Sequence, residues 1–523
     1  MSRKLDVLFV NYSNQHKVYQ ELAVKHTAIE VPTWSLLLAQ SCRAKGYGVA
    51  ILDCDAEQLT LDQAINRIHD ANPRLVCFVT YGSNPNAGTT NMSGTIELAR
   101  KLKDYYPQYL TISIGSHTSA LPQNVLQEYC FDFVSINEGV YTLHELLKRS
   151  NITKAIFSDL ETVPGLGFKN LGSVTKNGNL ESSYIEFKLN TGKIVSQENM
   201  DIDMPGYAWD LLPHKSKPLD LYRSHNWHTN YNESLRSPAA ALYTSLGCQF
   251  KCSFCLINIV NRTSTNEVSS DDSHGMRFWS TDLILKEFEK LAKLGVQTIR
   301  ISDEMFYLNK KYYEPLLQGL AERDYGLRLW SYARVDSVNP KYLELFKKAG
   351  MKWLALGIES ANRKIRKESI KGNYQDVDIS EIVQEIHNHD INVIANYIFG
   401  LPEEDKKTMQ ETLDLACELN TETVNMYPCM ALPGSPLHLQ AKKEKWQLPD
   451  SYEGYSFLSY DSQPLPTKYL TAGEVLAFRD DAWQTYFTMP KYLDLVKNKF
   501  GEQAYNNVVE MTKIKLHRKL LGN

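Results

Sequence analysis

The sequence predicts an α/β protein in which a doubly wound, Rossmann-like sheet domain precedes a (β/α)6 partial barrel and a small helical C-terminal region. Short apolar runs alternate with amphipathic stretches over residues 1–150, and the same alternation returns over residues 236–435. Strands that alternate with helices in this way form parallel sheets covered on both faces. Residues 151–235, rich in Gly and Pro, are interpreted as a connector, and residues 436–523 as the helical region.

The first domain is predicted to contain five strands, each followed by a helix. It has no G-x-G-x-x-G, so the dinucleotide fingerprint is absent. Ligands of such sheets bind in the loops beyond the carboxyl ends of the strands. The predicted strands are Leu5–Asn11, Val49–Asp53, Leu75–Tyr81, Leu110–Gly115 and Asp132–Ile136, with helices near 33–45, 61–71, 94–105, 122–129 and 140–149.

The second domain is predicted to contain six β/α units, which indicate a barrel or part of one. In the helix near 281–294, apolar residues recur on the stripe that faces a core. Catalytic residues of such barrels lie at the carboxyl ends of the strands. The predicted strands are Ala240–Ser245, Thr298–Asp303, Arg328–Arg334, Trp353–Glu359, Val393–Phe399 and Thr423–Pro428, with further helices near 310–323, 340–349, 378–389 and 404–419.

Composition excludes several classes of protein. The chain has 523 residues, with 57 Lys and Arg against 61 Asp and Glu, and its net charge of −4 predicts no nucleic-acid partner. No apolar run approaches the ~18 residues of a membrane span, and the first apolar run is too short for a secretory signal. We therefore expect a cytoplasmic protein without a membrane span. The basic segment Lys513–Lys519 is interpreted as a solvated helix face.

Three of the nine cysteines form the motif C-x3-C-x2-C directly after the first predicted barrel strand: Cys248, Cys252 and Cys255. Thiolates suit iron–sulfur clusters, and three of them leave one iron of a [4Fe–4S] cluster open. A structural zinc ion would need a fourth ligand nearby, and the first candidate downstream is His274. Cys429, after the sixth strand, is interpreted as an inert buried cysteine in preference to a fourth ligand or a hydrogen donor.

The text around this motif, YTSLGCQFKCSFC, resembles the radical S-adenosylmethionine (SAM) superfamily, and specifically its subgroup with an N-terminal cobalamin-binding domain. The resemblance covers about residues 1–435 and is looser beyond. It implies that SAM chelates the open iron and is cleaved by one electron from the cluster. The resulting 5′-deoxyadenosyl radical then abstracts a hydrogen from an unactivated carbon. In such enzymes the cofactors carry the chemistry, and the protein positions them and excludes water.

The resemblance also implies which strand ends contact SAM. The end of the second barrel strand would meet the amino group, the third would supply an arginine for the carboxylate, and the fourth a carboxylate for the ribose. Helix capping and a structural salt bridge are the alternative roles for these side chains. The implied SAM contacts are Ser302, Asp303, Glu304, Arg334, Glu359 and Ser360.

The first domain resembles the corrinoid-binding domain of the same subgroup. The D-x-H-x-x-G pattern that supplies a lower axial histidine in other corrinoid proteins is absent after the first strand. Cobalamin is therefore expected to bind without that ligand, and loss of corrinoid binding is the alternative. For His117, a hydrogen bond to the corrin or to the fold is favoured over an axial role. The implied cobalamin contacts are Tyr81, Gly82, Ser83, Gly115, Ser116, His117, Glu138 and Gly139.

The function implied by the resemblance is a methyltransferase that acts on an unactivated carbon of a small-molecule biosynthetic intermediate through methylcobalamin. A non-methylating cyclase or rearrangement enzyme on the same scaffold is the main alternative. A methylthiotransferase is disfavoured because the N-terminal cysteines are dispersed, and a non-catalytic corrinoid or iron–sulfur protein because four strand ends carry candidate SAM contacts. The chemistry implies an electron donor of the flavodoxin or ferredoxin type. The substrate and the catalytic hydrogen donor are not legible in the sequence.

Overall fold

The computed structural model describes residues 5–13, 15–22, 27–82, 85–149, 157–176, 179–261, 275–369 and 377–523. The predicted fold class is confirmed: two sheets of mainly parallel strands are followed by a helical C-terminal region. Within these ranges, no helix combines the length and the apolar character needed to cross a lipid bilayer.

The first sheet has seven strands in the order β2-β1-β3-β4-β5-β6-β7. Strands β1–β5 are parallel, as predicted, whereas β6 and β7 form an antiparallel hairpin whose first strand pairs with β5. The segment interpreted as a connector therefore extends the first sheet. The strands are β1 Val7–Asn11, β2 Val49–Asp53, β3 Leu75–Thr80, β4 Thr111–Gly115, β5 Phe133–Ser135, β6 Leu166–Lys176 and β7 Asn179–Leu189.

Helices cover both faces of this sheet, so central strands such as β3 are buried on both sides. One of them starts with a capping box, in which Thr60 and Gln63 satisfy each other's backbone N–H groups. Since β1 lies between β2 and β3, the strand order reverses there and opens a crevice at the carboxyl ends. The helices are Gln15–Tyr19, Thr33–Ala44, Cys54–Glu57, Leu61–Ala71, Gly88–Tyr105, Ser116–Ala120, Pro122–Gln127, Val140–Leu147, Phe157–Leu160 and Met200–Asp203.

The second sheet has six parallel strands in the order β15-β14-β13-β12-β11-β8, so β8 and β15 are its two edges. A short antiparallel ribbon of β9 and β10 follows β8. The strands are β8 Ala239–Leu242, β9 Ser245–Leu246, β10 Arg277–Phe278, β11 Thr298–Ile301, β12 Arg328–Arg334, β13 Met351–Glu359, β14 Asn392–Phe399 and β15 Thr423–Pro428.

Aromatic side chains close the amino-terminal end of this partial barrel. Trp330 and Trp353, near the starts of β12 and β13, lie in one apolar cluster. Trp227 lies 5.1 and 5.2 Å from their rings, and Phe500 stacks on Trp353 at 5.8 Å. This aromatic plug leaves the carboxyl ends of the strands for the site. The outer helices are Thr281–Lys293, Lys310–Arg323, Leu343–Lys348, Arg363–Ser369, Ile379–Asn388 and Lys406–Leu419.

The last part of the chain is helical up to Thr512, with helices Pro436–Glu444, Ala472–Thr488, Pro490–Phe500 and Glu502–Thr512. The interpretation of Lys513–Lys519 as a solvated helix face is wrong. Residues 513–518 are irregular. Arg518 is buried, because its guanidinium donates to both carboxylate oxygens of Asp480 at 2.9 Å and to the Ser459 carbonyl at 3.0 Å.

Candidate active site

The cysteine loop is tied to the barrel by Asp303. The Thr244 N–H, the Thr244 hydroxyl and the Ser245 hydroxyl each donate to the Asp303 carboxylate at 2.6 Å. These three bonds join the end of β11 to the residues between β8 and the first cysteine. Burial raises the pKa of Asp303 to about 6, against the lowering effect of the donated hydrogen bonds.

The cysteine loop begins at Gly247, a position where a side chain would not fit. Its φ is 90°, and an added Cβ would lie 2.4 Å from the Gly275 carbonyl oxygen and 2.5 Å from Asn261 Nδ2. The Asn261 amide also donates to the Gly275 carbonyl at 2.6 Å. The two ends of the loop are therefore packed directly against each other.

The three thiols of the motif lie together in a small apolar cluster with Phe250 and Met305. Cys248 is buried, and burial raises its pKa to about 12, while Cys252 and Cys255 are half-buried with pKa values raised by burial. Within the described ranges, no three His, Cys, Asp or Glu side chains converge closely enough for a single metal ion. A cluster takes one thiolate per iron, so the donor set fits [4Fe–4S]. His274 lies outside the described residues.

The remaining cysteines are separate from this loop. Cys42 and Cys77 lie in the large apolar core that extends through both domains, against which Cys417 packs, and Cys54 and Cys130 lie in a second core in the first domain. Cys429 is buried, and burial raises its pKa well above the ordinary value. These positions fit apolar packing.

Three predicted SAM contacts at the end of β11 differ in their surroundings. Asp303 is held by the cysteine loop, and the Ser302 hydroxyl accepts from Arg300 Nε at 3.1 Å. Glu304 instead has a buried Oε2 with no hydrogen-bond partner, and burial raises its pKa to about 8. A buried, unsatisfied carboxylate is costly, so Glu304 is the member of this trio that is available to an ammonium group.

Arg334 lies over the cysteine loop. Its Cζ is 3.6 Å from the centre of the Phe250 ring, and its Nε and Nη2 donate to the Asp336 carboxylate at 2.5 and 2.6 Å. The alternative role, a structural salt bridge, is thus present in this arrangement. The same contacts fix the guanidinium beside the three cysteines.

The two predicted SAM contacts at the end of β13, Glu359 and Ser360, also differ in their surroundings. Glu359 has a φ of 66° at a register shift between β13 and β14, and burial raises its pKa to about 8. A left-handed non-glycine residue at a strand end is a strained feature that clusters at functional sites. Ser360 is fully buried, and its hydroxyl donates to Glu404, which in turn accepts from the Gly400 and Leu401 N–H groups. Ser360 therefore supports the loop after β14.

The predicted cobalamin glycines are required by the packing of the protein itself. An added Cβ on Gly115 would lie 2.3 Å from the Thr80 carbonyl oxygen, and one on Gly82 would lie 2.4 Å from the Ala87 Cβ. Gly139 has a φ of 78°, and its Cβ would lie 2.8 Å from Ile114. The reason for small residues here is internal contact, whether or not a macrocycle approaches. Ser83 lies outside the described residues.

The polar members of the same set are also engaged within the protein. His117 is buried, its Nδ1 lies 3.1 Å from the Thr89 hydroxyl, and burial lowers its pKa to about 3. Ser116 is fully buried. Glu138 forms a buried ion pair with Arg277 and accepts from the Val195 N–H at 2.9 Å. Sequence reasoning missed this pair because its partners are 139 residues apart.

A cavity of about 910 Å³ lies at the carboxyl ends of β1, β2 and β3. Trp34 and Tyr81 stack at 4.5 Å and form part of its wall. Tyr81 also packs against the cysteine-loop cluster, so one side chain of the cavity wall contacts both regions. The barrel and the C-terminal region supply the other walls, with Arg300, Asn425, Arg479 and Leu516 among them. No pattern in the sequence identified which residues of the C-terminal region line the cavity.

The fold and the site define an iron–sulfur protein in which a ligand-binding doubly wound domain faces the cysteine loop of a partial barrel. Two family models match the chain: the B12 binding domain over residues 22–147 and the radical SAM superfamily over residues 242–416. The chain belongs to the radical SAM enzymes that carry a B12-binding domain, whose cofactors are a [4Fe–4S] cluster, SAM and cobalamin.

Similar proteins agree with this assignment. An uncharacterized methyltransferase of Pyrococcus horikoshii is 23% identical over 479 residues, which are 91% of each chain. The anaerobic magnesium-protoporphyrin IX monomethyl ester cyclase of Cereibacter sphaeroides is 22% identical over 85% of this chain and 65% of its own. The methyltransferase TsrM of Kitasatospora setae, solved with cobalamin and a [4Fe–4S] cluster, has a TM-score of 0.65 at 13% identity, covering 98% of this chain and 99% of its own. These similarities establish a shared fold.

Proposed function

We propose that this protein is a cobalamin-dependent radical SAM methyltransferase that acts on an unactivated carbon of a small-molecule biosynthetic intermediate. The observation that carries the proposal is the position of Tyr81, which lines the cavity at the strand ends of the first domain and packs against the cysteine-loop cluster of the second. A methyl carrier bound at these strand ends would lie beside the cysteine loop, at the boundary between the two domains. The volume of the cavity is within the range of small-molecule sites.

We assign the residues as follows. Cys248, Cys252 and Cys255 would hold the cluster, and Glu304, Arg334 and Glu359 would hold the amino, carboxylate and ribose groups of SAM. When bound, the cluster would supply the single electron that cleaves SAM, and cobalamin would carry the methyl group. Glu304 and Glu359 are favoured over Asp303 and Ser360 because the side chains of the latter two already form hydrogen bonds within the protein.

The chain itself orients the reactants and limits water. Trp34 and Tyr81 present aromatic faces on the first-domain side of the cavity. On the barrel side, Arg300 donates to Glu30 at 2.7 Å, and this ion pair joins the segment before the first long helix to β11. Asn425 lines the cavity, and its Nδ2 donates to the Asn396 Oδ1 at 2.9 Å, so this amide provides a polar contact for a substrate.

We propose that Tyr81 and Gly82, which line the cavity, contact the corrinoid, without a lower axial histidine from the fourth-strand loop. This is supported by the burial of His117 against Thr89 and the Tyr452 ring. The cobalt spectrum of the reconstituted His117→Ala variant should therefore match that of the wild type. A change in the spectrum of this variant would contradict the proposal.

The test is an anaerobic reconstitution with iron, sulfide and hydroxocobalamin, followed by reduction and addition of SAM labelled in its methyl group. A methyltransferase will form S-adenosylhomocysteine and transfer label to the corrinoid fraction before any substrate is supplied. A protein with about four irons per chain that retains corrinoid but forms no S-adenosylhomocysteine is not a methyltransferase.

A second candidate is the non-methylating cyclase or rearrangement enzyme. It is favoured by the 22% identity to the magnesium-protoporphyrin cyclase over 85% of this chain. The same experiment separates the two, since this candidate would cleave SAM to 5′-deoxyadenosine without transferring label to the corrinoid.

We propose an acidic one-electron donor of the flavodoxin or ferredoxin type as the protein partner. Two helices abut the cysteine loop through Ser253: its N–H donates to the Ser369 carbonyl, and its carbonyl accepts from Leu437. Their exposed residues include Lys364, Lys367, Lys442 and Lys443. Reduction of the cluster by such a donor should slow as salt rises, because exposed charge pairs are screened. A rate independent of salt would contradict this partner.

We also propose a reducing, cytoplasmic location. It is supported by the nine cysteines, all of which are free thiols. Fractionation of cells that express the protein, with antibody detection, tests the location directly. Recovery outside the cytoplasmic fraction would contradict it.

A further inference from the structure

Asn86 of the first domain contacts the cysteine loop of the second. It lies in the turn Pro85–Ala87, between β3 and the helix Gly88–Tyr105. Its Nδ2 is 3.8 Å and its Oδ1 3.9 Å from the Sγ of Cys255, and the Leu256 N–H donates to its Oδ1 at 3.2 Å. The partners are 169 residues apart in the chain.

The Leu256 bond decides which end of the amide faces the sulfur as a donor. Because Oδ1 accepts from Leu256, Nδ2 is the atom left to donate to Cys255. A ligating cysteine is a thiolate, which only accepts. The amide therefore stabilises negative charge on this one of the three cysteines.

The turn that holds Asn86 is also tied to the cavity wall. Gly82 lines the cavity, and its Cα is so close to Ala87 that an added Cβ would lie 2.4 Å from the Ala87 Cβ. Asn91, one helical turn further on, donates to the Tyr81 carbonyl at 3.4 Å. These contacts fix Asn86 relative to the strand end where the cavity begins.

We infer that Asn86 is a positioning residue for the iron–sulfur cluster, which sets the reduction potential of the cluster from the B12-binding domain. Hydrogen bonds to cluster sulfurs are one of the factors that set this potential. A donor stabilises the extra negative charge of the reduced cluster and so raises the potential. This inference rests on the cluster of the proposed function but not on the methyl transfer.

The test is a potentiometric titration of the reconstituted protein with dithionite and mediators, followed by the electron paramagnetic resonance signal of the reduced cluster. Asn86→Ala removes the donor, so its midpoint potential should lie below that of the wild type. Asn86→Asp also adds a negative charge beside Cys255, so its potential should be lower still. Neither measurement needs SAM or substrate.

Asn91→Ala is the matched control, because it loses an amide bond in the same segment without touching sulfur. Its potential should equal that of the wild type. If both Asn86 variants lose iron while Asn91→Ala keeps it and all three fold, the positioning role is supported by iron content instead. Potentials of both Asn86 variants equal to that of the wild type would overturn the inference. A wild type that binds no cluster would overturn the proposed function.

Discussion

The guanidinium of Arg277 and the carboxylate of Glu138 form a buried ion pair that joins the first domain to β10, just beyond the cysteine loop. Arg277 also donates to the Val195 carbonyl at 2.5 Å and to the Asn261 side chain at 2.7 Å. One side chain therefore links the first sheet, the segment after its hairpin and the end of the cysteine loop. The relative placement of the two cofactor regions depends on this contact.

Glu138→Leu should destabilise the protein by about 3–5 kcal/mol, because it leaves the Arg277 charge buried without its partner. The double variant Glu138→Leu/Arg277→Met should lose less, since no uncompensated charge remains. Urea denaturation followed by tryptophan fluorescence measures both. A single variant with the wild-type midpoint would show that the pair does not hold the domains together.

Glu304→Gln should weaken SAM binding about ten- to a hundredfold, which corresponds to a charge-assisted hydrogen bond of about 1.5–3 kcal/mol. Its iron content should be unchanged. Asp303→Ala should instead lose iron, because Thr244 and Ser245 lose the carboxylate that holds the cysteine loop. Equilibrium binding of SAM and iron analysis distinguish the two effects. The reverse pattern would exchange the roles of these neighbours.

Asp53→Asn should change how stability depends on pH. Burial, and then the charge of Asp55, raise the pKa of Asp53 from 3.8 to about 7. A carboxyl with a raised pKa contributes stability below its unfolded pKa and loses it as pH rises through the folded value. The wild type should therefore lose stability relative to the variant between about pH 4 and 7.

Thermal denaturation across this range tests the difference. Asparagine keeps an oxygen to accept from the Tyr222 hydroxyl, which lies 2.8 Å from Asp53. The exposed Asp70 provides the control substitution Asp70→Asn. Parallel curves for the wild type and Asp53→Asn would show that Asp53 does not titrate in this range.

Arg518→Met should release the last residues of the chain from the cavity wall. These residues line the cavity, and the Arg518 pair with Asp480 anchors them. The variant should lose corrinoid faster during desalting but keep its iron. Lys519→Met, at an exposed neighbour, is the control. Equal corrinoid retention in the two variants would mean that the segment does not cover the bound cofactor.

The sequence was informative where residue type follows a local period. Strands β12 and β15 begin and end at the predicted residues, and most of the residues in each strand are buried. The cysteine motif is equally local. The hairpin of β6 and β7 was missed because its pairing with β5 depends on an available sheet edge.

Contacts between the domains could not be predicted from the sequence either. The role of Asn86 depends on a sulfur 169 residues away, and the cavity combines walls from the first domain, the barrel and the C-terminal region. No spacing of residues in the sequence predicts these long-range contacts. Contacts within the protein explain why residue 115 is a glycine and why the Asp303 carboxylate accepts hydrogen bonds from the cysteine loop. The sequence alone could not distinguish these packing roles from roles in ligand binding.

The aromatic plug of Trp227, Trp330, Trp353 and Phe500 affects how reactants enter and products leave the enzyme. Among the described residues, these rings fill the amino-terminal end of the barrel, and Trp227 also lines the cavity. A reactant that enters the barrel would therefore stop at this aromatic floor, and its product would leave on the side from which the reactant came.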